Sequence, residues 1–378
     1  MLFFMAFIII GIACSAVTIK TLIGYSDMKL IYKIFVGITV VAGWFGFIVL
    51  RFLKSQPFLS SEAYSTISNI LYALMGFVFI LFIIIMLRDI VWYMIFYSLK
   101  LIKIDAWYLD PRNLSVLNKA NLIVVLLAVC ISVYSTYEAC KIPDVIKETI
   151  VSEKLSRNLR IVQVSDMHIT RATPNNKIIK IINEVNMQNP DVIVLTGDTV
   201  DDDIDTIRDK IDLLSNLSAP YGVYAIMGNH EFYNDVYAFK RTIEAIGIKF
   251  LFNGGVHVAN SNIYISGLPD FSTMFERINL WRSIQNAKKS DFKVLLSHQP
   301  AIINSLNKEL YDLVLSGHTH GGQIFPMHLM AKKANQYLAG RYNINGIDLI
   351  ISRGAGAWGP QMRLFAPSDI IVIDLLKK

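Results

Sequence analysis

The sequence predicts a layered α/β domain, with enough β-structure for two packed sheets, preceded by an all-α region of four transmembrane helices. Three observations carry that expectation. Apolar residues are concentrated before about Ser135, in runs long enough to cross a bilayer as helices. From about Lys141 onward, apolar runs of strand length alternate with stretches of helical spacing, the pattern of an α/β fold. Five of those apolar runs end in residues able to ligate a metal, and His168, His230, His298, His318 and His320, five of only 7 histidines in the chain, sit at these ends.

The membrane region comes first in the chain. A length of 378 residues exceeds one ordinary domain, and 53% hydrophobic with 17% charged residues is too apolar for an ordinary soluble enzyme. The excess lies in Leu2 to Ile19, Ile31 to Leu50, Ile70 to Leu87 and Leu122 to about Tyr137. Each approaches the roughly 20 residues that span a hydrocarbon core as a helix. A cleaved signal peptide is not expected, because Met1-Leu2-Phe3-Phe4 lacks a basic start and further spans follow. The third run continues into Asp89 to Lys103, where Trp92, Tyr93, Phe96 and Tyr97 mix with Lys100 and Lys103, a composition that anchors a helix end at the headgroup boundary.

Loop charges suggest an orientation. Lys20, Lys29 and Lys33 flank the first connection and Arg88, Lys100, Lys103, Arg112 and Lys119 the third, against Arg51 and Lys54 in the second. By the positive-inside rule the first and third connections are cytoplasmic and the C-terminal half faces outward. Residues 1–140 are therefore read as the transmembrane region and 141–378 as a catalytic domain. Cys14, Cys130 and Cys140 all lie in or just beyond the membrane part, so the C-terminal half has no disulfide framework and no Cys-rich zinc site. The net charge of +6 is spread thinly with no basic run, which argues against a nucleic-acid partner. Nothing in the sequence sets an oligomeric state.

In the C-terminal half, Pro143 to Val151 alternates like a strand with one wet face, and Ser156-Arg157-Asn158 breaks it. Leu159 to Val164 is a strand candidate ending at Asp166 and His168. Asp191 to Leu195 ends at Asp198, Gly222 to Met227 at Asn229 and His230, Phe292 to Leu296 at His298, and Tyr311 to Leu315 at His318 and His320. Helical spacing occupies Lys177 to Met187, Ile204 to Leu217 and Val236 to Ile246. Strand candidates at Ile347 to Ser352 and Ile370 to Leu375, with a hairpin-like Val256 to Ser266, supply the remaining β-structure.

Ligands gather at the carboxyl ends of strands in open α/β sheets. Taken singly, Asp166, Asp198 and Asn229 read as readily as caps or turns. The histidines do not. His318 and His320, at i and i+2, project to one side only from extended or looped backbone, and Gly317, Gly321 and Gly322 let the chain turn there. Imidazoles mixed with carboxylate and amide oxygens, and no thiolate, favour manganese, iron or zinc over calcium or magnesium. The set is too large for one tetrahedral zinc and suits two ions. Paired ions activate water and neutralise charge in displacements at phosphorus.

Asp166-x-His168, Gly197-Asp198-x-x-Asp201, Gly228-Asn229-His230-Glu231, His298 and Gly317-His318-x-His320 resemble, in order and spacing, the five motifs of the calcineurin-like metallophosphoesterase superfamily. The ending Gly-His-Thr-His-Gly-Gly-Gln, with Ser352-Arg353-Gly354 and Arg363-Leu364-Phe365 downstream, resembles its membrane-attached bacterial branch. The resemblance covers about Lys141 to the C-terminus. It implies a four-layer αββα sandwich holding two divalent metal ions, one on Asp166, His168 and His320 and the other on Asn229, His298 and His318, with Asp198 between them. It further implies a metal-bridging hydroxide as nucleophile, His230 as the catalytic group at the leaving oxygen, and Asp201 and Glu231 as residues that orient the ligands.

The substrate so implied is a phosphate ester, diester or pyrophosphate, and membrane attachment suggests a lipid or cell-envelope compound. The competing reading is a membrane sensor, scaffold or transporter-like protein with a structural metal site. Against it, the apolar runs show no buried ion pair or interrupted polar helix. Of the remaining polar residues, Asp203 reads as a helix cap and His257 as structural. His328 is a candidate for the cleft wall, and Arg353 and Arg363 either bind substrate phosphate or pair structurally.

Overall fold

Apolar sequence in a bilayer must satisfy its own backbone, which leaves the helix as the natural form. The computed structural model has four helices in this region: α1 (Leu2–Ile19), α2 (Leu30–Lys54), α3 (Ser61–Leu101) and α4 (Leu114–Cys140). It describes the whole chain except Met1, Tyr25, Asp27, Ser55, Pro57, Phe58, Arg112, Asn234 and residues 272–276, so Arg112, counted above among the loop cations, lies outside the described residues. Among the described residues α2, α3 and α4 are long and apolar enough to cross a membrane, while the described apolar part of the first helix, Ile8–Gly24, is shorter.

Ser60 caps α3 by accepting from the Ala63 N–H, and the helix then runs 41 residues, so the aromatic and basic segment after Leu87 continues the span without a break. At 1.5 Å per residue that is about 60 Å, twice a hydrocarbon core. Arg88 donates to Asn121 Oδ1 at 2.6 Å and so ties α3 to α4.

The chain divides into two units, Met1–Tyr137 with Gly359–Met362, and Glu138–Trp358 with Arg363–Lys378. In the second unit the strands are β1 (Asp144–Ser152), β2 (Leu159–Val164), β3 (Val192–Thr196), β4 (Val223–Ile226), β5 (Lys249–Phe250), β6 (Gly254–His257), β7 (Ile263–Gly267), β8 (Phe292–Leu296), β9 (Leu313–Ser316), β10 (Gly340–Ile344), β11 (Ile347–Ile351) and β12 (Asp369–Lys377). They form two six-stranded sheets, ordered β1-β12-β2-β3-β4-β5 and β10-β11-β9-β8-β7-β6. Strands β2 to β5 are mutually parallel, as are β7, β8, β9 and β11.

These central strands read as continuous apolar runs because both faces are buried. Alternate residues explain the layering. Ile161, Val194 and Ile226 of one sheet meet Ile265, Val294 and Leu315 of the other in a core between the sheets. The opposite face of the first sheet, with Val162, Ile193 and Ala225, is covered by Ile178, Ile182 and Val185 of α5 (Asn175–Met187), Ile211 of α6 (Arg208–Asp212) and Phe239 and Ile243 of α7 (Val236–Ala245). Leu295, Val314 and Leu349 on the far face of the second sheet pack with Ile302, Ile303, and Leu280 and Ile284 of α8 (Leu280–Ile284). The result is the expected four-layer αββα sandwich.

One helix departs from expectation. Ile204 to Leu217 is not continuous but breaks into a 3-10 turn at Ile204–Thr206, the single turn of α6, and a second 3-10 turn at Leu213–Asn216. Asp203 accepts from Asp205 N–H while Thr206 Oγ1 donates to the Asp203 carbonyl at 2.7 Å, local bonds that compete with helical ones. The cap expected of Asp203 is present. A short helix not expected from the sequence, α9 (Met327–Asn335), follows the glycine-rich loop after β9.

Candidate metal centre

The parallel strands β2, β3, β4, β8 and β9 deliver their carboxyl ends to one place. Between them, deep in the inter-sheet core, the fully buried Gln163 of β2 donates to Thr196 Oγ1 at 3.0 Å and to the Ser316 carbonyl at 2.8 Å. A polar bridge from β2 to β3 and β9 thus fixes the two sheets just below the strand ends.

The loops above are strained in a common way. Asp166, His168, Asp198, His318 and His320 all have positive φ, between 47° and 72°. Such backbone costs about 1–3 kcal/mol per residue and persists where the surroundings over-determine it, often at functional sites. Space is equally tight: a Cβ on Gly317 would lie 2.2 Å from Asp166 Oδ2, so only glycine lets the β9 loop approach the β2 loop.

Among the described residues, three groups of side chains offer ligand atoms within 4.8 Å of one another: Asp166, His168 and His320; His168, Asp198 and His230; and Asp198, His298 and His318. His168 Nε2 faces His320 Nε2 at 2.9 Å, and His320 Nε2 lies 3.4 Å from Asp166 Oδ1. Asp198 Oδ2 is 3.0 Å from His298 Nε2 and 3.8 Å from His168 Nε2. His318 Nδ1 lies 3.3 Å from His298 Nε2. Asn229 is buried beside this cluster, in the loop whose next residue, His230, donates its N–H to Asp198 Oδ1 at 2.9 Å.

Neighbouring groups set which nitrogens face inward. Asp201 Oδ1 lies 2.6 Å from His168 Nδ1 and 2.8 Å from His230 Nδ1, so one carboxylate orients two rings. His298 Nδ1 donates to the Thr196 carbonyl at 2.9 Å, which makes Nε2 the nitrogen that faces Asp198. Glu231 is buried and accepts the backbone N–H groups of Asp198, Thr199, Val200 and Gly228, clasping the β3 and β4 loops together.

Electrostatics follow from this crowding. Burial alone raises a carboxyl, yet His298, His168 and His230 hold Asp198 down to about 2, and the facing histidines hold Asp166 and Asp201 below the usual carboxylate range. Burial and the Asp198 charge push Glu231 up to about 7 against the pull of its backbone donors. Burial drives His320 down to about 4 despite Asp166, which keeps the ring neutral. Convergent imidazole nitrogens, with the outer nitrogens of His168 and His298 already committed to oxygen acceptors, set among ionised carboxylates, fit borderline divalent cations.

Other sequence readings resolve as follows. Arg363 is fully buried and donates to the carbonyls of Gly356, Ala366, Arg353 and Gly354, while its Nη2 lies 3.3 Å from His320 Nδ1. It pairs structurally rather than lying open to a substrate. Arg353 is half-buried and bonds Asp369 Oδ2 at 3.3 Å. His257 pairs with Asp291 at 2.8 Å, in keeping with a structural role. His328 lines a cavity of about 400 Å³ bordered by Gly321.

Two residues went unread in the sequence. Trp358 is exposed, with its ring 6.0 Å from that of His230. Asp270, buried just after β7, accepts both ways from Gln299 Nε2 at 3.0 Å and raises the pKa of the nearby His298. It marks another strand end, visible as Ile263 to Gly267 running into Leu268-Pro269-Asp270, once β7 is separated from the hairpin that contains it.

A nitrogen and oxygen donor cluster at the parallel strand ends of a four-layer sandwich defines a metallohydrolase domain. Residues 159–322 match the family model for calcineurin-like phosphoesterases. A metallophosphoesterase of Campylobacter jejuni, described as uncharacterised, is 33% identical over 68% of this chain and 70% of its own length. One of Helicobacter pylori is 35% identical over 64% of this chain and 66% of its own. A transmembrane protein with a metallophosphoesterase domain from Danio rerio is 28% identical over 68% and 63%. The chain belongs to the metallophosphoesterase family and is a metal-dependent phosphoesterase.

Proposed function

We propose that residues 141–378 form the catalytic domain of a membrane-anchored, two-metal phosphoesterase whose substrate is a lipid or cell-envelope phosphoester, and that the domain faces outward. The reading rests on one observation above all: a single oxygen, Asp198 Oδ2, lies within 3.0 Å of His298 Nε2 and 3.8 Å of His168 Nε2, placing a shared carboxylate between two histidine groups. Asp166, His168 and His320 would hold one ion, and Asn229, His298 and His318 the other, with Asp198 common to both. When bound, such ions supply an activated water and neutralise charge at the phosphoryl group.

The chain's own residues do the rest. Asp201 holds Nδ1 of His230, so a protonated His230 would give its Nε2 proton to the leaving oxygen as the phosphorus–oxygen bond breaks, and the proton released by the attacking water would recharge the ring. Trp358 lies edge-to-face with that ring, the two centroids 6.0 Å apart. The net result is one water consumed, one phosphorus–oxygen bond cleaved and one hydroxyl released. The outward orientation is supported by the lysines and arginines that flank the first and third helix connections.

The test is hydrolysis of a small aryl phosphodiester by the full chain in detergent, with manganese, iron or zinc added. Turnover that needs the metal, with His230→Ala retaining metal but losing about 10²–10⁴ in kcat, is expected. Tight metal binding without turnover would instead favour a scaffold. For orientation, protease added to intact cells should cleave the domain, and cleavage only after the membrane is opened contradicts the outward placement.

A further inference from the structure

Helix α9 begins five residues after Gly322 and is held hard against the loop that carries His318 and His320. A Cβ on Gly322, whose φ is +84°, would lie 2.2 Å from the His328 Cα, so backbone touches backbone here. Thr319, between the two loop histidines, donates its hydroxyl to the Leu338 carbonyl, fastening the segment that follows α9 to the same loop.

At helical spacing His328 and Lys332 share one side of α9. That side borders the cavity of about 400 Å³, which Gly321, Phe325, Tyr342, Arg353 and Phe365 also line. No carboxylate lines it among the described residues. Phe325 stacks on His328 at 5.1 Å, and Tyr342 Oη accepts from Leu338 N–H at 3.3 Å, which leaves its own hydroxyl hydrogen to donate. Arg353 is already bonded to Asp369, so Lys332 contributes the less compensated positive charge.

The opposite side of α9 carries Leu329 and Met330, 62% and 65% exposed, beside Lys333, and Phe365 at the cavity rim is 78% exposed. A short helix with apolar residues and lysine on its open face suits the headgroup and acyl boundary, with the lysine stem lying along the apolar surface. A cationic hollow edged by exposed apolar side chains is complementary to one chemistry in particular, an anionic headgroup attached to hydrocarbon. The same chain carries helices long and apolar enough to cross a membrane, where lipids of this chemistry are found.

We infer that the cavity between α9 and the metal-binding loop seats the headgroup of an anionic phospholipid, with Leu329, Met330 and Phe365 set into the bilayer boundary. Resting on the phosphoesterase reading above, this assigns anionic lipids as the substrate class brought to the metals.

The experiment titrates the full, metal-loaded chain in neutral detergent with dihexanoyl phosphatidylglycerol, dihexanoyl phosphatidylcholine and glycerol 3-phosphate, by calorimetry. The anionic lipid should bind about tenfold or more tightly than either of the others. Lys332→Glu should erase that margin, and the double variant Leu329→Ser with Met330→Ser should erase only the margin over glycerol 3-phosphate. Both variants should keep wild-type metal content. Equal binding of phosphatidylcholine, equal binding of glycerol 3-phosphate, or unchanged lipid binding by Lys332→Glu each overturns the inference. Failure of the wild-type chain to hydrolyse the aryl ester is a separate result, which overturns the phosphoesterase reading and leaves the lipid titration to be judged by itself.

Discussion

The two halves of the proposed metal centre are held by different means. Around Asp166, His168 and His320 the rings are set by charged side chains, Asp201 at 2.6 Å from His168 Nδ1 and Arg363 at 3.3 Å from His320 Nδ1. Around Asp198, His298 and His318 the His298 ring is set by main chain, the Thr196 carbonyl taking its Nδ1 proton at 2.9 Å. A carboxylate can be substituted or titrated, whereas a carbonyl moves only with its strand. The first half should therefore be separable from the second by mutation of Asp201.

The largest effect is expected where the halves meet. Asp198→Asn removes charge from the shared oxygen, so both ions should be lost and hydrolysis should fall on the order of a thousandfold or more, read by elemental analysis and by turnover of an aryl phosphodiester. Retention of one ion would show that the halves do not depend on a common ligand.

A smaller and one-sided effect is expected from Asp201→Asn. Weakening the hydrogen bond that orients His168 should lower the affinity of that half's ion by about 10–100-fold while leaving the other nearly unchanged. Metal titration followed by calorimetry should then show two separated binding steps. Parallel weakening of both steps would erase the distinction between the halves.

The smallest effect is the one pH produces. Burial pushes the His168 pKa down, but Asp201, Asp198 and Asp166 lift it to about 9 from its ordinary 6.5. In the metal-free protein the charged ring contributes stability that is fully present below about 6.5 and lost as pH rises through about 9. The same proton must leave before Nε2 binds metal, so metal affinity should climb with pH toward about 9, with proton release. Thermal melts of metal-free protein between about pH 6.5 and 9.5 should show Tm falling, and melts of metal-loaded protein should not. A flat profile for the metal-free protein would mean that Asp201 does not hold the His168 proton.

Much of this centre was legible in the sequence because ligand chemistry and strand ends are both local signals. Apolar runs such as Phe292 to Leu296 stop where they stop in three dimensions, and His298 follows immediately. The layered sandwich was legible for the same reason, since alternation of strands and helices leaves few ways to bury both faces of each sheet. What stayed hidden depends on long-range approach. The Thr196 carbonyl that sets His298 is a main-chain atom 102 residues away, and no side-chain pattern announces it. The burial of Arg363 was equally unreadable, because its partners are carbonyls gathered by a loop. Helix α9 was missed because Met327 to Asn335 is too short for a helical period to stand out, and the broken Ile204 to Leu217 segment because local bonds of Asp203 and Thr206 override an apolar spacing that looked helical.

The most direct measurement is anomalous diffraction from crystals of the full chain grown with manganese. Two anomalous peaks about 3.5–4 Å apart, with the Asp198 carboxylate between them and His168 and His298 on opposite sides, are the predicted result. A single peak at full occupancy in crystals of active protein would contradict the two-metal account.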